Sequence, residues 1–324
     1  MFSPYKGRSV DIGELTIGAD RLWLGEATWE TPLVFIDLAA SDDFPAQLVL
    51  PPCPVIGIGD PAHPFGSKLD AVVNLSWANV VARQVLARPR AAAVTVELLR
   101  LLPGLSTEAA LATESLAYTV LQFSLEHAAW RATNRVTGQG EGRVTVTLDG
   151  GQLDIILDRP GAANAIDRAM RDQLREALSL AALDAEIKRV VLRANGKVFS
   201  LGADLSEFGT VSDPATAHAI RARTLPAWAA GRCADRLEVH IQGACVGAGL
   251  ELAAWGHRIT AERNAWFQLP ELAMGILPGA GGCVSLCRRI GRQRTAFMIL
   301  SGERVSAREA LSWGLIDAIV DEPA

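Results

Sequence analysis

The chain is expected to fold as an α/β protein with several parallel strands, preceded by a mixed extension that begins with strands and ends in helices. Three observations predict this class. From residue 143 onward, short aliphatic and β-branched runs alternate with segments of helical periodicity. Two glycine-rich stretches, 195–208 and 243–257, each lead from a strand towards a helix start. Hydrophobic residues make up 49% and charged residues 21% of 324 positions, the balance of a globular chain with a large core and one or two domains.

The elements follow in order. Residues 1–60 hold the short apolar runs RLWLG (21–25), LVFIDLA (33–39) and AQLVLPPCPVIGIG (46–59), broken by Pro and Gly, and these read as strands. Residues 76–133 read as helices. SWANVVARQVLA runs to Pro89, RAAAVTVELLRLL runs to Pro103-Gly104, and a run over 106–133 begins at Ser106, a natural N-cap. TGQGEG (137–142) reads as a linker or tight turn and divides the chain into parts 1–139 and 140–324. RVTVTL and LDIIL flank DGGQ (149–152), the pattern of a β-hairpin. Ile166, Met170, Leu174, Ala177, Leu178 and Ala181 then fall on one helical face. IKRVVLRA (187–194) and LEVHIQ (237–242) are strands. SAREALSWG opens with Ser306 and Glu309 in capping-box spacing and stops at Gly314.

Composition excludes several classes. A net charge of −5 gives no basic footprint for nucleic acid. No apolar run approaches the ~20 residues of a membrane span, and MFSPYKGRSVDIGEL has no secretory h-region. The five cysteines (53, 233, 245, 283, 287) form no CxxC pair and the histidines are scattered, so no metal site is expected and free thiols in a reducing cytoplasm are.

The glycine-rich turns carry the chemistry. A strand-to-helix turn leaves backbone N–H groups without an intrahelical partner, and small residues let a ligand approach them. One N–H from each turn would make a site for an oxygen bearing partial negative charge. In GACVGAGLELAAWGH (243–257), Glu251 places a carboxylate at the start of an otherwise apolar helix. Its plain structural reading is a buried carboxylate paired with an arginine.

Five motifs in order settle what the turns resemble. LDRPGAANAI (157–166), VFSLGADLSEF (198–208), IQGACVGAGLELA (241–253), FQLPELAMGILPGAGG (267–282) and SAREALSWGLIDAIV (306–320) make residues 143–320 resemble the enoyl-CoA hydratase/isomerase (crotonase) superfamily. The resemblance implies a crotonase-like ββα superhelix. It implies an oxyanion hole from the N–H groups of Ala203 and Ala248, the latter commonly Gly in the family. It implies two glutamates, Glu251 to orient water and Glu271 as principal acid/base. It puts CoA against the backbone at Ala162 and Leu201, with CoA as part of the substrate and no separate cofactor or metal. His257 stands where the family often has Asp. Trp255 and Trp266 read as core or pocket wall, and Asp204 as a turn residue.

The implied activity is addition of water to a 2-enoyl-CoA, in a cytoplasmic homotrimer or hexamer with no nucleic-acid or membrane partner. An isomerase, decarboxylase or hydrolase of the same fold, or a non-catalytic acyl-CoA-binding subunit, are the alternatives. Family members continue after GLIDAIV into helices, whereas here DEPA ends the sequence. LDAVV (69–73) parallels IDAIV (316–320), and the helices that follow it resemble that C-terminal module. The N-terminal part therefore reads as a degenerate second copy or a permuted tail, with 76–133 expected to cover Phe297, Ile299, Leu300 and Leu311.

Overall fold

The computed structural model describes residues 10–22, 31–40 and 48–321. Its N-terminal part opens with four short strands, β1 (Thr16–Ile17), β2 (Val34–Asp37), β3 (Val55–Ile58) and β4 (Ala71–Val73), all parallel and in spatial order 1-2-3-4. β2 and β3 are buried along most of their length, so they read as unbroken apolar runs rather than alternating ones. Two strand expectations fail. Arg21 and Leu22 of RLWLG lie in a 3₁₀ turn, Ala19–Leu22, while Trp23–Gly25 lie outside the described residues. Residues 48–50 form no strand; Pro51 and Pro52 follow at once and bring no N–H to a ladder.

Four helices follow. Asn74 caps α1 (Leu75–Ala87) by accepting from the Trp77 N–H, and Pro89 takes the first position of α2 (Pro89–Leu101). Ser106 caps α3 (Thr107–Gln122) as expected. The run 106–133 is not one helix. It breaks at Phe123, and Ser124 caps a separate α4 (Leu125–Thr133) by accepting from the His127 N–H.

From residue 143 the order is β5 (Arg143–Asp149), β6 (Gln152–Asp158), α5 (Arg168–Leu183), β7 (Arg189–Ala194), α6 (Pro214–Thr224), α7 (Ala227–Arg232), β8 (Leu237–Ile241), β9 (Ala244–Val246), α8 (Ala248–Ala253), β10 (Arg258–Glu262), β11 (Trp266–Gln268), α9 (Gly282–Ile290), α10 (Arg292–Ser301), β12 (Val305–Ser306), α11 (Ala307–Trp313) and β13 (Ala318–Val320). A six-stranded sheet runs β13-β10-β8-β7-β6-β5. It is parallel except for the β5–β6 hairpin, turned at Gly150 and Gly151 with φ of +52° and +81°. β12, β11 and β9 make a small third sheet. The helix expected after Gly202-Ala203 is a single 3₁₀ turn, Leu205–Glu207. The whole is the crotonase-like ββα superhelix with a mixed N-terminal extension.

The extension packs on the rest. One buried apolar cluster contains Phe35, Ile56, Val81 and Val96 together with Leu192, Ile241, Val284 and Leu300. α1 and α2 lie on α10, and α3 lies on α9. The Trp77 ring meets Phe297 edge-on at 5.2 Å. Of the residues expected to lie under 76–133, Ile299 and Leu300 are fully buried and Phe297 partly so, but Leu311 stays 40% exposed. Asp70, at the edge of β4, sits between Arg100 of α2 and Arg292 of α10, at 2.5 and 3.1 Å.

The 137–142 stretch carries no regular structure, yet it is pinned. Arg159 donates to the carbonyls of Gln139 and Gly140, both at 2.6 Å, and Gly142 N–H donates to Asp167. Among the described residues no helix is long and apolar enough to cross a membrane.

Candidate active site

Two adjacent turns build the site. Beyond β7 the chain runs beside the β8–β9 segment: Phe199 N–H donates to Gln242 O, Ser200 N–H to Ala244 O, and Val246 N–H back to Ser200 O. Gly202 has φ of +97°, and a Cβ there would lie 3.2 Å from Val246 O and 3.5 Å from Ala248 N. Only glycine lets the two turns come this close. Gly247, with φ of +50°, then starts α8 at Ala248.

Ala203 and Ala248 are thereby brought together. Ile166 N–H donates to Gly202 O and Asp204 N–H to Ile166 O, which leaves the Ala203 N–H between them without a backbone acceptor among the described residues. Ala248 is the first residue of its helix, so its N–H has no intrahelical acceptor. Both residues line a cavity of about 540 Å³, whose apolar wall includes Leu174, Phe208, Ile220 and Ile276.

Glu251 and Glu271 face the same cavity. α8 places Glu251 one turn beyond Gly247, 2% exposed. Its Oε2 accepts from Ala280 N–H at 2.5 Å and Gly282 N–H at 2.9 Å. No arginine lies within ion-pair distance of it among the described residues, so the arginine-paired reading does not hold. Burial pushes its pKa up to about 7, against the pull of the two amides and of Arg221. Glu271 opens a 3₁₀ turn, Glu271–Met274, and its buried Oε2 has no hydrogen-bond partner. A Cβ on Gly247 would lie 2.7 Å from its Oε1. Burial first, then the charge of Glu251, raises the Glu271 pKa well above the carboxylate range.

Leu201 and Ala162 lie on touching loops at one side. Leu201 lines the cavity, is 47% exposed and donates its N–H to Ala163 O at 3.1 Å. Ala162 ends the 3₁₀ turn Pro160–Ala162 and is not part of the cavity wall. Ala163 and Asn164 beside it hold φ of +50° and +52°. The Asn164 amide fixes this strained loop, accepting from Arg159 N–H and donating to Asn195 O and Val198 O. Asp204 caps its 3₁₀ turn and accepts from Arg159 at 2.8 Å, the turn role expected. His257 is exposed, Trp255 is core, and Trp266 lies under Arg304; none lines the cavity.

Two cavity residues and one behind them escaped the sequence reading. Tyr118 comes from α3, Arg221 from α6, and Glu114 lies just behind the wall on α3. Glu114 is 1% exposed and accepts from Gly281 N–H at 2.7 Å and Val284 N–H at 3.3 Å. Burial, then the neighbouring Glu251, raises its pKa to about 8. A signal was present: Glu114 falls on the buried helical face of Ala110, Leu111 and Leu121. Among the described residues no three His, Cys, Asp or Glu side chains are grouped to hold a metal ion.

Comparison with known proteins gives the family. The family profile described as enoyl-CoA hydratase/isomerase matches residues 149–324. The chain is 37% identical over 168 residues to the 2,3-dehydroadipyl-CoA hydratase of Escherichia coli K12, covering 52% of this chain and 65% of that protein. It is 34% identical over 178 residues to the mevalonyl-coenzyme A hydratase SIDH of Beauveria bassiana, covering 52% and 64%. It therefore spans slightly less than two thirds of these relatives. The crystal structure of an enoyl-CoA hydratase from Mycobacterium smegmatis superposes with a TM-score of 0.50 at 31% identity, covering 55% of this chain and 69% of that one. With more than half of its length matched by the profile and the two turns built as described, the chain belongs to the enoyl-CoA hydratase/isomerase family.

Proposed function

We propose that the protein adds water across the double bond of a 2-enoyl-CoA. The observation that carries this reading is the pairing of two buried carboxyls over one cavity with two unbonded turn amides. Attack of water at Cβ moves charge onto the thioester oxygen, and the N–H groups of Ala203 and Ala248 would stabilise that enolate. Glu251, held by two amides, orients the water. Glu271, with its free oxygen and raised pKa, exchanges the proton as acid and base. CoA would follow the backbone at Ala162 and Leu201.

The same reading has residues 76–133 take the place of the family's C-terminal helices over a 140–324 core. Their packing on α9 and α10 supports it. It also includes a cytoplasmic homotrimer or hexamer, for which exposed Leu116, Val120 and Leu125 on α3 and α4 offer an apolar face.

Loss of absorbance of the conjugated thioester, followed with enoyl-CoAs of several chain lengths, tests the activity. Turnover that Glu271→Gln abolishes is expected. CoA binding without turnover would favour an acyl-CoA-binding subunit. Double-bond migration that survives Glu251→Gln would favour an isomerase.

A further inference from the structure

The loop that holds Glu251 is itself held from the N-terminal part of the chain. Along residues 279–284, consecutive backbone groups go to alternating partners. Gly279 O accepts from Arg221 Nη2. Ala280 N–H and Gly282 N–H go to Glu251, while Gly281 N–H and Val284 N–H go to Glu114. Arg221 is in turn seated by α3: its Nε donates to Ser115 Oγ at 3.2 Å and its guanidinium lies 3.9 Å from the Tyr118 ring centroid. Ser115 Oγ also meets His218 Nδ1 at 3.0 Å.

The loop has no slack. A Cβ on Gly279 would come 2.1 Å from Tyr118, one on Gly281 would come 2.5 Å from Ala227, and one on Gly282 would come 2.4 Å from Glu251. Backbone this tightly enclosed takes its position from the groups around it.

We infer that Glu114 is a positioning residue for Glu251: with Arg221 it clamps the 279–284 loop from α3, so that the two amides gripping the Glu251 carboxylate stay aligned. The inference rests on the hydration reading for its kinetic consequence, not for its geometry. Glu114 touches no reacting atom. It acts through the loop, and it lies outside the part of the chain that the family profile matches. The site of this protein is thus finished by a helix from the preceding segment.

The test is a double-mutant cycle on the full chain. Glu114→Gln keeps volume and one acceptor but turns an amide N–H towards one of the two backbone N–H groups that the carboxyl oxygens accept. It should lower kcat by about tenfold to a hundredfold, the scale of a small misplacement of a reacting group, with KM nearly unchanged. In a Glu251→Gln background the same change should cost almost nothing further, because the group being aligned is gone. Equal losses in both backgrounds, or a change confined to KM, would overturn the inference. Should Glu114→Gln not fold, Arg221→Lys, which frees Gly279 O at the other end of the loop, should show the same dependence on Glu251. Amide hydrogen exchange at Ala280 and Gly282 decides the geometry without any substrate. Protection there should fall in Glu114→Gln, and unchanged protection would refute the clamp. If the wild type turns over no enoyl-CoA, the hydration reading fails and the exchange result alone judges Glu114.

Discussion

Glu251 and Glu271 share one cavity and are held in opposite ways. Oε2 of Glu251 accepts two backbone N–H groups, while the buried Oε2 of Glu271 accepts none. A fixed carboxylate suits aiming a water, and an unbonded one suits trading a proton. Glu271→Gln should therefore reduce kcat for hydration by about 10²–10⁴-fold, the range for a general acid–base residue, and leave CoA affinity close to wild type. Steady-state kinetics with titration calorimetry for CoA measure both. Near-normal turnover would take Glu271 out of the mechanism.

The same burial sets a pH dependence of stability. Glu114, Glu251 and Glu271 all have folded-state pKa values above those of free glutamate, each chiefly through burial. A raised carboxyl pKa contributes stability that is fully present below the unfolded value and is lost as pH rises through the folded one. The melting midpoint should fall as pH climbs through about 7 and beyond, and Glu271→Gln should flatten that fall. Parallel melting curves for both proteins across this window would contradict it.

Ala248→Pro removes the N–H assigned to the oxyanion without altering any reacting side chain. Ala248 is the first residue of α8, the one helical position where proline fits well. The variant should keep its circular dichroism spectrum and lose about 10²–10³-fold in kcat, the usual cost of one such donor. Full activity in the folded variant would move the hole elsewhere.

Asp70 tests the attachment of the extension. It is 1% exposed and lies between Arg100 and Arg292, with Val55 N–H as a further donor. Asp70→Asn leaves two guanidinium groups facing a neutral amide, and breaking a buried pair in this way costs about 3–5 kcal/mol. Urea denaturation should show that loss, with kcat per folded molecule unchanged. A stability change under about 1 kcal/mol would mark the cluster as a surface-like pair.

A fragment of residues 140–324 would bare the α10 surface where Phe297 meets Trp77 and would lose Glu114 and Tyr118. Apolar burial is favourable by roughly 25 cal/mol per Å², so the fragment should aggregate or show no turnover. A monodisperse, active fragment in size-exclusion chromatography would reduce the extension to an appendage.

What the sequence revealed tracks how local each feature is. The two turns were legible because Gly202 and Gly247 satisfy a backbone need within a few residues, and Glu251 and Glu271 follow at fixed offsets from motifs. The burial of Glu114 was hinted at by its helical face, but the meeting of Glu114 and Arg221 with the 279–284 loop was not, because they come from far away in the chain and no spacing encodes it. The break between α3 and α4 was hidden by apolar residues that continue the helical period through Phe123 and Leu125, both of which prove exposed. The helix expected after Ala203 is one 3₁₀ turn, because Asp204 spends its side chain on Ser206 and Arg159. RLWLG looked like a strand from a short apolar run alone, and its first two residues lie in a 3₁₀ turn because so short a run does not outweigh local turns.

Arg159 decides where the stretch before β5 can change its length. Because its guanidinium grips the carbonyls of Gln139 and Gly140 while holding Asp204 beside Ala203, the stretch that looks most like a dispensable tether is registered to the site. Insertions and deletions at 139–142 would tug on the first turn, whereas changes of length upstream, over 134–138, should be tolerated far more freely. Splitting the gene into two cooperating polypeptides would meet the same rule. A break before Thr137 leaves both carbonyls with the half that needs them, and a break after Gly140 takes them away.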